Sequence, residues 1–112
     1  MKVDLHMAGD VMVATIRAPQ IDAHTAPELT QFLETEIDTG RARVVVDMCE
    51  VSFLDSSGLG ALIRLLKHLP EEGNLALCGC RAPILELLRL TRLDRILTAY
   101  PSCGEAIESF RS

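Results

Sequence analysis

Residues 43–48 read RVVVDM, and residues 53–62 read FLDSSGLGAL. The first stretch is a continuous apolar run. Strands covered on both faces, as in parallel sheets, read this way, whereas half-exposed strands alternate. The second stretch puts an aspartate, two serines and a glycine just before a helical pattern. Leu59, Leu62, Ile63, Leu66 and Leu69 recur at helical spacing, with Arg64, Lys67 and His68 between them. Pro70 and Gly73 end that helix. A buried strand feeding a helix through a polar junction is the repeating unit of an α/β sheet.

The pattern extends in both directions. Upstream, VDLHM alternates with Val3, Leu5 and Met7 on one face, and VMVATIRA follows after Gly9-Asp10. Two strands joined by a Gly-Asp turn read as a hairpin, and Pro19 ends the second. Thr25 and Glu28 have the spacing of a capping box, with Pro27 in the first turn of the helix they open. Leu29, Phe32, Leu33 and Ile37 form its expected buried face, and Gly40 fits the position past its end. Downstream, LALCGC reads as a short strand, PILELLRL as an amphipathic helix and RILTAY as a last strand. Ser102 and Glu105 repeat the capping-box spacing before a short helix, GEAIESF.

The expected order is β-β-α-β-α-β-α-β-α. After the hairpin, strands and helices alternate, which calls for an α/β fold with a mostly parallel sheet. A chain of 112 residues fits one domain, 1–112. Such a domain buries about two-thirds of its unfolded surface. With three Phe, one Tyr and no Trp, its core must be aliphatic.

Composition narrows the function. The formal net charge is −5, and Lys and Arg are scattered. Binding to a phosphate backbone or an acidic membrane needs a positive patch, so neither nucleic acid nor membrane is an expected partner. The apolar runs are too short to span a bilayer. Cys78 and Cys80 are spaced C-x-C, not as the C-x-x-C of metal and redox sites, so no metal site is expected. With no signal peptide, Cys49, Cys78, Cys80 and Cys103 read as reduced thiols in a cytosolic protein, Cys78 and Cys80 as small buried residues on a strand.

In parallel sheets, functional groups collect where strands end and loops enter helices. Two loops there are polar: QIDAHT (20–25) and DSSG (55–58). The second admits two readings. Asp55 or a serine can simply cap the helix, accepting orphan N–H groups of its first turn. The same N–H groups can also hold an anion, and a phosphate on serine there would bring a charge near −2. Gly58 would let backbone come close. Asp22, if the two loops adjoin, would sit near that phosphate and repel it.

Catalysis fits poorly. A hydrolase elbow would read G-x-S-x-G, and a serine nucleophile needs a base. Of His6, His24 and His68, His24 alone stands on a suitable loop. GLGALI lacks the third glycine of a dinucleotide loop and the lysine of a P-loop. Neither an enzyme nor a cofactor is expected.

The segment VVVDMCEVSFLDSSGLGALIRLLKHL resembles the signature of the STAS domain, in particular that of the anti-sigma factor antagonists. QIDAHTAPELTQFL and LLRLTRLDRILTAYPSCGEAI are similar to the family's earlier and closing segments. The resemblance implies the STAS fold: a mixed, mostly parallel sheet with an N-terminal hairpin and four helices. It also implies a bacterial, cytoplasmic partner-switching protein in transcription regulation. In that scheme the unphosphorylated form binds an anti-sigma factor that is also a serine kinase, freeing the sigma factor. The kinase, which supplies the ATP, phosphorylates the first serine of the motif and the complex parts. A serine phosphatase resets it. By position the acceptor is Ser56, and Asp22, Asp55, Ser57, Gly58 and Leu59 belong to the partner-binding surface. The same fold also serves as a stressosome-like scaffold component and as a subunit of lipid or anion transport systems. Two positions depart from the family pattern. Pro19-Gln20 replace the usual Gly-Glu, and Arg92 replaces a Gly, so the loop near Asp22 and the end of the third helix are expected to differ.

Overall fold

A computed structural model describes residues 1–111. In chain order its elements are β1 (Lys2–Ala8), β2 (Val11–Arg17), β3 (Gln20–Ile21), α1 (Ala26–Asp38), β4 (Arg43–Asp47), β5 (Phe53–Leu54), α2 (Ser56–His68), β6 (Asn74–Cys78), α3 (Ala82–Leu90), a 3-10 turn at Leu93–Arg95, β7 (Thr98–Tyr100) and α4 (Cys103–Ser109). The nine elements read from the sequence are all present. The last strand is shorter than expected, because Arg95 belongs to the 3-10 turn.

Five strands form one sheet in the order β1-β2-β4-β6-β7. β1 and β2 are an antiparallel hairpin, from Lys2 opposite Arg17 to Ala8 opposite Val11. Gly9 turns it with φ +65°, a conformation that favours glycine. Every other pairing in this sheet is parallel. The burial of RVVVDM follows from its central place: Val44, Val45 and Val46 are fully buried between β2 and β6. Each such side chain contributes about 1.5–3 kcal/mol relative to exposure.

The two sheet faces are covered unequally. On one face, buried residues of α1, α2 and α3 join Met12, Ala14, Val44, Val46, Leu75 and Leu77 in the larger core. On the other, Val11, Val13, Val45 and Ala76 pack beneath Ala106, Ile107 and Phe110, at α4 and its C-terminal end. Ser102 caps α4 as expected, its Oγ accepting from the Glu105 N–H at 3.2 Å.

Several details differ from the sequence reading. The buried stripe of α1 is Ala26, Leu29, Thr30, Leu33 and Ile37, and Phe32 is 40% exposed. Phe32 sits beside that stripe, one helical step off its axis. On α2 the stripe is Gly58, Ala61, Leu62 and Leu65, while Leu59, Ile63, Leu66 and Leu69 are half-buried on its flanks. Leucines on both flanks had hidden its direction. Thr25 makes no side-chain cap and there is no capping box with Glu28. The Glu28 carboxylate instead accepts from the Met1 amino group at 2.6 Å. Cys80 lies past the end of β6, after Gly79 at φ +68°.

The cysteines are not four free thiols. Cys78 and Cys103 are joined by a disulfide, with Cα atoms 5.1 Å apart, while Cys49 and Cys80 are free. The cause is topological. α4 starts over the end of β6, so residues 25 apart in sequence become neighbours.

Candidate functional site

Two short strands bring the polar loops together. β3 and β5 pair in parallel, Gln20 opposite Phe53 and Ile21 opposite Leu54. Asp22 and Asp55 come next on each chain segment. The Asp55 N–H donates to the Ile21 carbonyl at 3.3 Å. The Pro19 carbonyl also accepts from the N–H of Ser52 and from its hydroxyl, at 2.8 and 3.0 Å. Pro19 has no N–H to offer, yet its carbonyl anchors the segment leading to the serines.

Each aspartate organises the start of a helix. Asp55 is the N-cap of α2: its backbone is extended (φ −97°, ψ −172°) and its Oδ1 accepts from the Gly58 N–H at 3.0 Å. Asp22 acts at α1, where the sequence had suggested Thr25. Its Oδ1 accepts the N–H of His24 and of Thr25 at 3.0 and 3.1 Å. The Asp22 N–H donates in turn to Thr25 Oγ1 at 3.0 Å, and Gln20 Nε2 donates to Asp22 Oδ2 at 2.7 Å. The Thr25 N–H bond, assisted by those of His24 and the Thr25 hydroxyl, holds the Asp22 carboxyl below its usual range. Asp22 therefore carries a full negative charge at neutral pH.

The serines open α2, directly after Asp55. Ser56 is the first residue of α2 and is exposed, and its hydroxyl has no partner among the described residues. Ser57 is half-buried and lines a groove of about 580 Å³ between α1 and α2, together with Ala23, Gly60, Glu34 and Arg64. Arg64 Nε donates to Glu34 Oε2 at 2.8 Å across that groove. Leu59 is half-buried against the larger core.

Gly58 has a packing role. A Cβ there would lie 2.4 Å from Leu54 Cδ1 and 2.6 Å from the Ile21 carbonyl oxygen. The first turn of α2 thus rests directly on the β3–β5 pair, and glycine alone allows that approach. Being buried, Gly58 supports the surface from below.

Among the described residues, no catalytic constellation forms around Ser56. His24 contributes its backbone N–H to the Asp22 turn, and His68 pairs with Asp38 at 2.7 Å at the far end of α2. Among the described residues, one group of metal-ligating side chains comes together: Asp47, Cys78 and Cys103, with ligand atoms within 4.8 Å of one another. Both sulfurs belong to the disulfide. Among the described residues no helix is long and apolar enough to cross a membrane.

The chain thus has a hairpin leading into a parallel sheet, and a serine pair at the start of a helix capped by Asp55. Residues 2–106 match the family model of the STAS domain, and the chain belongs to that family. The anti-sigma-B factor antagonist of Listeria monocytogenes is 33% identical over 89 residues, covering 79% of this chain and 78% of that protein. An anti-sigma factor antagonist from Mycobacterium paratuberculosis has the same fold, with a TM-score of 0.91 and 25% identity over 99% of this chain and 94% of that one. The crystal structure of a putative anti-sigma factor antagonist from Thermotoga maritima superposes with a TM-score of 0.89, at 24% identity over 98% of this chain and 95% of that one. The mixed sheet with four helices is thus the STAS fold that the sequence resemblance implied.

Proposed function

We propose that this protein is an anti-sigma factor antagonist, formed by a single STAS domain over residues 1–112 and switched by phosphorylation of Ser56. The unphosphorylated form binds an anti-sigma factor that is also a serine kinase, and so frees a sigma factor. The γ-phosphoryl group of ATP passes to Ser56 Oγ, ADP leaves, and the hydroxyl proton goes to a base of the kinase. A serine phosphatase reverses the change by hydrolysis. On this reading the protein is a cytoplasmic regulatory binding partner and the substrate of the kinase, not a catalyst.

One observation carries the reading. A serine hydroxyl that is exposed, and unpartnered among the described residues, opens α2 beside two strand ends that each bear an aspartate. The hydroxyl can be modified without breaking a hydrogen bond. The new dianion would then stand beside Asp22 and Asp55, and the face would become strongly negative at once. Ser57 and Leu59 continue that face along α2, and Gly58 fixes its height above the strands.

The test is to mix the purified protein with its candidate anti-sigma kinase and ATP, and to map phosphate by mass spectrometry while following the complex. Phosphate on Ser56 with loss of the complex is expected. A stable complex that acquires no phosphate would replace the switch by a scaffold or transport-subunit role on the same fold.

A further inference from the structure

The cysteines converge on one carboxylate at the end of β4. An Asp47 carboxylate oxygen lies within 4.8 Å of both Cys78 Sγ and Cys103 Sγ. The Cys49 N–H donates to Asp47 Oδ1 at 3.0 Å. Cys49 Cβ also packs against Gly79, within 3.2 Å of where a Gly79 Cβ would stand, between Cys78 and Cys80. The cross-link itself joins the buried end of β6 to the first residue of α4. That helix has seven residues, and with Phe110 just beyond it forms the helical cover of the second sheet face.

We propose that Cys78 and Cys103 form a reversible dithiol–disulfide site, which exchanges with small-molecule thiols and sets how firmly α4 is fastened to the sheet. Cys103 is half-exposed and Cys78 fully buried, so the geometry gives the order of events. An incoming thiolate attacks Cys103 Sγ and the S–S bond breaks. Cys78 leaves with the electron pair and takes up the proton that the small thiol released. A second small thiol attacks the mixed disulfide at its small-molecule sulfur and releases Cys103 as a thiol. Two small thiols are thereby oxidised to one disulfide, and the protein gains two electrons and two protons. Oxidation by a small-molecule disulfide is the reverse.

The neighbours keep this exchange selective. Burial, followed by the Asp47 charge, pushes the Cys80 thiol up to about 11. Burial and then a hydrogen bond with Asp47 raise Cys49 as well. Both therefore stay protonated at neutral pH and are poor nucleophiles toward the adjacent disulfide. The site is separate from Ser56, and its test reads thiols instead of phosphate.

The folded protein is equilibrated in buffers of graded reduced-to-oxidised glutathione ratio, quenched in acid, then alkylated under denaturing conditions and weighed. Two labels, mapped to Cys49 and Cys80, are expected at the oxidising end and four at the reducing end, joined by one two-electron transition. Thermal unfolding of the oxidised form should lie at least ~5 °C above the reduced form. Cys103→Ser should show neither the two-electron transition nor the redox-dependent difference in Tm. Four labels at every ratio would overturn the proposal. So would a bond that the folded protein never releases, or pairing that involves Cys49 or Cys80.

Discussion

Asp22 and Asp55 lie side by side because each follows the last paired residue of a two-residue strand, Ile21 and Leu54, and the Asp55 N–H is bonded to the Ile21 carbonyl. Two loops more than thirty residues apart thus each bring an aspartate to neighbouring strand ends, an acidic ledge beside the start of α2. The ledge is fixed by backbone bonds, so substitutions can separate its charge from its architecture.

On the proposed function Ser56 bears the switch without supporting the fold. Ser56→Ala should leave the unfolding midpoint within about 0.5 kcal/mol of wild type, since an exposed hydroxyl with no partner is removed. On the proposed function it should bind the anti-sigma kinase and stay bound in ATP. Ser56→Asp should weaken that binding by about tenfold or more, a cost of about 1.4 kcal/mol. Calorimetric titration of the three proteins against one kinase preparation reads both effects. Equal affinity of the Asp variant and wild type would leave Asp55 and the serines as a helix cap alone.

Asp55 is first a cap. Asp55→Ala should cost about 1 kcal/mol through loss of the Gly58 N–H bond, and Asp55→Asn much less, because the amide oxygen can take the same N–H. Urea midpoints separate the two. If Asp55→Asn keeps stability but changes affinity for the kinase, the carboxylate charge itself belongs to the partner surface.

Gly58→Ala should destabilise the fold by about 1–3 kcal/mol, the usual cost of overpacking. One of the two clashing atoms is a backbone carbonyl oxygen held in the β3–β5 pair, so a side-chain rotation cannot relieve it. A wild-type unfolding midpoint for this variant would show that α2 can lift off the strands.

Arg92 is the residue outside glycine that adopts a positive φ among those described, +61°, just after α3 ends. An L-residue there costs about 1–2 kcal/mol, a cost glycine escapes. Arg92→Gly should raise stability, by about 1 kcal/mol once the extra freedom of glycine in the unfolded chain is subtracted. A Tm unchanged or lowered would mean that the arginine side chain contributes a compensating contact.

Acid should weaken the fold through Asp22. Its folded-state carboxyl titrates below the ordinary value of 3.8, mainly because of the Thr25 N–H. A depressed carboxyl supplies stability that is fully present above its unfolded value and is lost as pH falls through the folded one. Wild type should therefore hold its stability from neutral pH to about pH 5 and lose it below pH 4. Asp22→Asn keeps an oxygen for the turn but cannot titrate, so its stability should fall less between pH 7 and pH 3. Identical acid limbs in chemical denaturation would remove Asp22 from the explanation.

The large elements were legible because each repeats a pattern over many residues. RVVVDM reads as a strand covered on both faces, and Gly9-Asp10 between alternating runs marks the hairpin. Gly58 could also be read, since a glycine in a helix start asks for a reason. The ledge was harder. Two-residue strands such as β3 and β5 carry no periodicity, so the contact of the two loops stayed conditional. At α1 the N-cap residue is Thr25 as the spacing indicates, but Thr-x-x-Glu and Asp-x-x-Thr overlap in QIDAHTAPE: Asp22 takes the N–H groups of His24 and Thr25, and Thr25 Oγ1 accepts the Asp22 N–H instead of closing a box with Glu28. Phe32 and Leu65 were misjudged on helices with apolar residues on several sides. The bond between Cys78 and Cys103 depends on where α4 lands, and spacing alone does not give that.

The support of α2 on the Ile21 carbonyl also sets the range of the message. A helix start so tightly seated has little room to move when a phosphate arrives, so on the proposed function the change is sent as an electric field. In physiological salt such a field fades over about 8 Å. The signal is therefore private: a protein in contact with the ledge can read it, and one passing at a distance cannot.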